Sequence, residues 1–243
     1  HCGGIDHIPI HHTNEIAQST AATGKKFVNY WFHVAFLTVD NMKMAKSLGN
    51  IYTVQDLVDK GYSPISLRFF LLSSHYRSQQ NFTFEALENA DKTLKNIYSF
   101  LRSMKSIKEG KPISKEAIEE IEKHRKGFFD ELRNDLNMPN ALKEMHALIS
   151  YENKRLSENL VGKEEADKVI GAMLEFDTIL GLNFSKELED KEMPEEVKKL
   201  IEEREIARKE KNFEKADKIR KEIEERFGII IEDTKDGIKW HYK

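Results

Sequence analysis

The sequence predicts an α/β region followed by a mainly α-helical bundle and a small α+β end that carries a hairpin. Three observations support this. Residues 1–80 hold most of the glycines, histidines and aromatics, set around short apolar runs such as Phe32 to Val39 and Leu67 to Leu72. From about residue 84, apolar residues recur three and four apart over long stretches, the spacing of one helical face. The chain closes with Ile229-Ile230-Ile231, a turn signal at Asp236-Gly237, and the run Ile238 to Tyr242, which together form a hairpin pattern.

Each helix of the bundle has its own stripe. The first runs through Leu87, Ala90, Leu94, Ile97 and Leu101, and the second through Ile118, Ile121, Phe128 and Leu132. Leu142, Met145 and Ile149 mark the third, and Ala166, Val169, Ile170, Met173 and Leu180 the fourth. Gly and Pro interrupt the periodicity at Gly110 to Pro112, Asn137 to Pro139 and Gly181 to Pro194. The last break, acidic and aperiodic, reads as a linker, which gives domains at 1–80, 81–183 and 184–243. Residues 195–227 hold 11 basic and 11 acidic side chains, so the stripe Ala216, Ile219, Ile223 and Phe227 supplies their one apolar face and predicts a helix or helix pair.

A chain of 243 residues can bury two cores. With 33% charged residues and no apolar run of bilayer length, it reads as soluble, with no membrane partner. Its net charge of -3 gives no global basic field, so any nucleic-acid contact must come from local patches. One cysteine, Cys2, excludes an internal disulfide framework and fits a reducing cytoplasm. The opening His1-Cys2-Gly3-Gly4 has neither an initiator Met nor a secretory pattern and reads as an internal cut in a longer protein.

Lys43-Met44-Ala45-Lys46-Ser47, continued by Leu48-Gly49-Asn50, follows one apolar run and precedes the helical pattern Val54 to Lys60, which predicts a loop. Two lysines three apart beside a hydroxyl can set ammonium groups on a polyphosphate. A solvated basic loop is the alternative on the residues alone. The string resembles the KMSKS signature of class I aminoacyl-tRNA synthetases, with Ala45 in place of the first serine. The resemblance implies that Lys46 contacts ATP and stabilises the transition state of amino-acid activation, with Lys43 and Ser47 shaping the loop and Mg2+ accompanying ATP. It also implies that the α/β region is Rossmann-type, the second half of the class I catalytic domain, and that the HIGH signature lies upstream of this chain.

If a helix runs through His11-His12-Thr13-Asn14-Glu15, His11 and Glu15 lie one turn apart and can share a metal ion, although zinc needs three or four protein ligands and a bare surface pair has the same spacing. Gly3-Gly4-Ile5-Asp6 with His11-His12-x-Asn14-Glu15-Ile16-Ala17-Gln18-Ser19 resembles the HGGG-x-DL and PHHENEIAQS block of cysteinyl-tRNA synthetases. That resemblance implies one zinc held by His11 and Glu15 and completed by cysteines outside this chain, gripping the thiol of L-cysteine. A thiolate binds zinc far better than a serine hydroxyl, so selection would need no editing. Gly4 and Asp6 form a turn that a nucleotide can approach; the resemblance places them, with His1 nearby, around the adenylate.

Leu67 to Ser78 offers Arg68, His75, Tyr76 and Arg77 as cations and stacking planes for RNA, its apolar members being core. This string and Asn81-Phe82-x-x-Glu85-Ala86-Leu87 resemble the family's stem-contact region, with Arg77 a candidate tRNA contact. Residues 200–220 and 228–240 resemble its anticodon-binding end. There Trp240 is either a stacking platform for a base or a plug beneath the hairpin. The resemblance covers essentially the whole chain and implies ATP-dependent ligation of L-cysteine to tRNA(Cys) through cysteinyl-adenylate, by a cytoplasmic, monomeric enzyme. The alternatives are a non-catalytic tRNA-binding fragment and the cysteine ligase of the mycothiol pathway, against which residues 195–243 count.

Overall fold

The computed structural model describes residues 1–189, 194–210, 212–234 and 237–242. It divides into two compact units, His1–Leu188 and Glu189–Lys243. The turn predicted at Asp236-Gly237 falls partly on a residue outside those described.

The first unit opens with β1 (Cys2–Gly4), a short 3-10 turn over Ile5–His7 and a π-helical turn over Ile8–His12 that runs directly into α1 (Thr13–Thr23). Next come β2 (Phe32–Val34), β3 (Leu37–Val39), β4 (Met42–Lys43), α2 (Val54–Asp59), α3 (Pro64–Leu72) and β5 (Gln80–Phe82). These strands do not form the single doubly wound sheet that a complete Rossmann domain has. β1 pairs with β2 in parallel, and a separate mixed sheet has the order β4-β3-β5, antiparallel at β4 and parallel at β5. Strands of two or three residues bury too little to extend further on their own. A hydrogen bond from Ala35 N to Tyr76 O (2.8 Å) and another from Gln80 N to Phe36 O (3.1 Å) tie the strand after α3 to this region.

Local chemistry fixes where these elements begin. β3 and β4 are joined through Asp40 and Asn41, both at positive φ (49° and 62°), which is the backbone of a two-residue hairpin turn. Thr53 and Asp56 make a reciprocal capping box at the start of α2. Ser63 caps α3, whose first residue is Pro64, where a missing N–H costs nothing.

The helical layer follows the predicted stripes, except that Ile118 is exposed and Ala117 takes the buried place beside it: α4 (Phe84–Ser106), α5 (Lys115–Arg133), α6 (Met138–Ser157) and α7 (Lys163–Leu180). Thr83, Ser114 and Asn137 each cap the helix that follows. α4 buries Leu87, Leu94, Ile97, Phe100, Leu101 and Met104, each worth about 1.5–3 kcal/mol out of water. Phe128 of α5 stacks on Phe176 of α7 with ring centroids 4.2 Å apart.

α7 ends at Gly181, whose φ of 60° favours glycine and across which the Arg68 guanidinium lies, Arg68 Nε donating to Leu180 O at 2.5 Å. The first part of the stretch read as linker belongs to this core. Leu182 and Phe184 are fully buried (0%), and α8 (Phe184–Glu187) is fastened by Tyr98 Oη donating to Leu182 O at 2.6 Å. Asp177 accepts the backbone N–H groups of Leu182 and Phe184, so the chain leaves the helix with its donors satisfied. Two apolar anchors in a short segment show no periodicity, so the sequence pattern misses them.

The second unit pairs α9 (Glu195–Lys209) with α10 (Phe213–Phe227), followed by the antiparallel strands β6 (Ile229–Thr234) and β7 (Gly237–Tyr242). Its core is Val197, Ile219, Ile223, Ile229 and Ile231. No helix among the described residues is long and apolar enough to cross a membrane.

Candidate functional site

The lysine loop begins on the antiparallel hairpin. Lys43 ends β4, Ala45 is extended, and Lys46-Ser47-Leu48 forms a single 3-10 turn, so the segment predicted as a loop is part strand and part turn. Lys43, Lys46 and Ser47 are all exposed. What gives the loop its shape is Asn50, which is buried: its Oδ1 accepts Ala45 N at 2.9 Å and its Nδ2 donates to Lys43 O at 3.1 Å. The amide thus closes the loop across the two lysines and leaves both ammonium groups in solvent, where an anionic ligand can reach them. From below, Asn81 Oδ1 accepts both Thr38 Oγ1 (3.1 Å) and Asn41 N (2.7 Å), pinning the hairpin turn to β5. Sequence reasoning gave neither Asn50 nor Asn81 a role. Their signal was a buried-type amide next to a turn.

The histidine cluster is built by the π-helical turn. Ile8–His12 is wider than an α-turn, so it changes which of two adjacent histidines faces inward. His12 is buried, while His11 is exposed and packs against His7 with ring centroids 4.9 Å apart. Donor atoms of His1, His12 and Glu15 all lie within 4.8 Å of one another. His1 Nε2 stands 2.9 Å from Glu15 Oε2, and His12 Nδ1 is 2.8 Å from His33 Nε2. Trp31 closes the cluster, its ring centroid 4.8 Å from that of His12 and 5.0 Å from that of His1. Burial lowers the His12 pKa, Glu15 opposes this, and His33, His7 and His11 reinforce it. Of the two predicted ligands, the structure places Glu15 in the cluster and leaves His11 outside it. The exposed Cys2 is not part of it.

A Cβ on Gly3 would come within 2.5 Å of the His12 ring, so the glycine is required for this approach. Gly4 and Asp6 lie at the end of β1 and in the 3-10 turn after it. A Cβ on Gly4 would strike the Asp6 carboxylate. Among the described residues no hydrogen bond joins Gly4 or Asp6 to the lysine loop.

Arg77 is not a free cation. Its Nε lies 2.8 Å from Asp135 Oδ2, and Tyr76 Oη donates to Asp135 Oδ1 at 2.6 Å. Its guanidinium also lies 5.3 Å from the centre of the Tyr76 ring. Asp135 and Leu136 both take positive φ (56° and 52°), so the clasp holds a strained corner between α5 and α6. These bonds keep the Asp135 carboxyl below its usual range and the Tyr76 hydroxyl above its own. Trp240 lies in β7 opposite Ile231, but its side chain is outside the described residues.

Two family models match the chain in order: the tRNA synthetases class I (C) catalytic domain over residues 1–92, and the cysteinyl-tRNA ligase anticodon binding domain over residues 190–240. The cysteine–tRNA ligase of Brachyspira hyodysenteriae is 39% identical over 246 residues, covering 100% of this chain and 52% of the relative. That of Chlamydia abortus is 40% identical over 241 residues, covering 98% of this chain and 50% of the relative.

The chain belongs to the cysteine–tRNA ligase family.

It spans about half the length of the curated ligases it matches, as the relative from Shouchella clausii also shows, with 38% identity over 99% of this chain and 52% of its own length. Among solved structures, the AgnB2 LeuRS of Agrobacterium radiobacter K84, in a ternary complex with tRNA and LeuAMS, is similar with a TM-score of 0.57 over 79% of this chain and 27% of that one. At 15% identity that likeness speaks for the fold alone. The ligase family match places the lysine loop and the histidine cluster together in its catalytic-domain portion.

Proposed function

We propose that this chain carries part of the machinery that ligates L-cysteine to tRNA(Cys) at the expense of ATP. In the first step the cysteine carboxylate attacks the α-phosphorus of ATP, and pyrophosphate leaves. In the second, a terminal ribose hydroxyl of tRNA attacks the carbonyl of the adenylate, and AMP leaves. The observation that carries this reading is the lysine loop, set on a hairpin and closed by Asn50 with both ammonium groups free. Lys46 meets the charge that develops on the phosphates as the α-phosphorus becomes five-coordinate. Lys43 and Ser47 hold the loop, and Mg2+ arrives with ATP. Gly4 and Asp6 line the adenosine side of a Rossmann-type pocket whose other half lies outside this chain.

The family implies zinc, and the residues present fit a half-site, since two imidazoles and a carboxylate are ordinary zinc donors. Glu15 belongs to it on either assignment. Resemblance pairs it with His11, and geometry pairs it with His12 and His1. Bound there, zinc would supply a soft acid that holds a thiolate and passes over a hydroxyl. Residues 1–80 would then be the second half of the catalytic domain with its stem-contact region, 81–183 a helical tRNA-binding layer, and 184–243 the anticodon-binding end. Arg77 and Trp240 are the candidate tRNA contacts, and the working enzyme would be a cytoplasmic monomer.

The match to an anticodon binding domain at 190–240 argues against the mycothiol-pathway ligase, whose acceptor is an amino sugar. A non-catalytic tRNA-binding fragment is the second reading, favoured by a chain that spans 52% of its Brachyspira relative. The test is ATP–pyrophosphate exchange by this chain joined to the half of the ligase that it does not span. Exchange should require cysteine, ignore serine, and fall about 10²–10³-fold in Lys46→Ala. Exchange indifferent to Lys46 would remove this reading. Zinc content of His11→Ala against His12→Ala then assigns the histidine.

A further inference from the structure

Three consecutive side chains, at residues 75–77, aim their donors at one acidic residue. Arg77 meets Asp135 as a fork, with Nε 2.8 Å from Oδ2 and Nη2 donating to Oδ1 at 3.1 Å. Tyr76 Oη donates to the same Oδ1 at 2.6 Å and accepts Arg77 Nε at 2.9 Å. His75 Nδ1 accepts the Arg77 backbone N–H at 3.2 Å, which leaves Nε2 to carry a proton, and Nε2 faces the Asp135 carbonyl oxygen at 3.1 Å.

The donors are held from behind without help from Asp135. The Tyr76 ring stacks on Phe32 of β2, with centroids 4.3 Å apart and planes 18° from parallel, and on His75 at 4.8 Å. Tyr76 O also accepts Ala35 N at 2.8 Å. The acceptor is held less well. Asp135 and its neighbour Leu136 sit at positive φ in the corner between α5 and α6, a backbone that residues other than glycine seldom adopt. The Arg77 and Asp135 side chains are 64% and 47% exposed, and an exposed ion pair contributes little net stability. The cradle is therefore fixed, and its occupant is the part that can leave.

A guanidinium fork with a phenolic hydroxyl, closed around two oxygens of a carboxylate, has the shape that also receives two oxygens of a phosphate. A nucleic acid delivers its phosphates together, so once other contacts are made, one phosphate competes with Asp135 at high effective concentration.

We infer that the side chains of residues 75–77 form a cradle for one phosphate of the tRNA backbone, which Asp135 occupies in the free protein and vacates when tRNA binds. This rests on the tRNA-binding reading proposed above and gives Arg77 its resident competitor. The hydrogen bonds from Tyr76 and Arg77 hold the Asp135 carboxyl below its usual range, so the group that leaves is an anion like the one that replaces it.

The test is tRNA binding by the whole chain, as wild type, Asp135→Asn, Arg77→Gln and the double variant, with a tRNA(Cys) transcript at one salt concentration. Asparagine tolerates positive φ and still offers Tyr76 an acceptor, so it removes the charge and keeps the corner. Asp135→Asn should bind about three- to fivefold more tightly than wild type, and the gain should vanish in the Arg77→Gln background. Equal or weaker binding by Asp135→Asn would overturn the inference. So would an undiminished gain beside Arg77→Gln, which would make Asp135 no more than a nearby negative charge. A wild-type chain that does not bind the transcript is a separate result, which removes the tRNA reading itself and this inference with it.

Discussion

The helical layer hides its large apolar side chains, and the region before it displays them. Phe128, Phe176, Leu87, Leu101, Met104, Met145 and Met173 are all essentially inaccessible. In the first 58 residues Ile5, Ile8, Ile10, Ile16, Phe27, Tyr30, Phe36, Leu48 and Val54 are exposed, and α1 buries nothing at all. One buried core runs through the helical layer and takes in Val39, Leu57, Phe69, Phe70 and Phe82 from the region before it. Residues 1–36, which bear the histidine cluster, add nothing to that core; they rest on hydrogen bonds, a short sheet and ring contacts, and belong to the low end of local stability.

The sharpest way to break this comparison is to truncate one side chain on each side. Phe176→Ala should cost about 3–5 kcal/mol in urea unfolding, whereas Ile16→Ala should stay within about 0.5 kcal/mol. Equal costs would mean that α1 has a core of its own. A smaller effect is expected at the lysine loop, where Asn50→Ala removes two bonds and leaves the Ala45 N–H unmet. It should cost about 1–3 kcal/mol and raise the apparent KM for ATP in the joined ligase more than it lowers stability elsewhere. An unchanged KM would leave Asn50 a merely structural residue.

The smallest effect is expected at the Arg77–Asp135–Tyr76 clasp. Asp135 is held below its ordinary carboxyl value of 3.8, so the clasp contributes above that value and is lost as pH falls through the lower, folded one. Hydrogen exchange at the corner between α5 and α6 should accordingly quicken only in strong acid, and Asp135→Asn should abolish that acid dependence. A corner that loosens already at mildly acidic pH would show that Asp135 is not what fastens it.

The same contrast separates what the sequence made legible from what it did not. The bundle helices announce themselves because Leu87, Leu94, Ile97 and Leu101 repeat one face over many turns. The helix pair and hairpin of the second unit follow from an equally simple stripe and a β-rich triplet. In the α/β region, motif strings singled out Lys43, Lys46, His11 and Glu15, whereas the backbone around them was not legible. A π-turn of five residues leaves His12 buried and His11 exposed, and no periodicity reports it. Asn50 and Asn81 are ordinary amides until their bonds to distant backbone are seen. Leu182 and Phe184 looked like linker because two anchors cannot make a pattern.

Ser66 of α3 reaches Asp91 of α4 at 2.6 Å, Tyr62 just before α3 reaches Glu88 at 3.1 Å, and Arg68 of α3 donates to Leu180 O, so α3 is bonded into the helical layer. Stability should therefore fall off toward the residues before α3. Hydrogen exchange should rank α4 as most protected, α3 next and α1 least.

The most direct test is to measure tRNA binding and cysteine-dependent ATP–pyrophosphate exchange side by side on this chain alone. The account predicts tRNA binding without exchange, because residues 190–240 match an anticodon binding domain while the chain spans only about half the length of the ligases it matches. Exchange by the chain alone, or the loss of tRNA binding together with exchange, would contradict it.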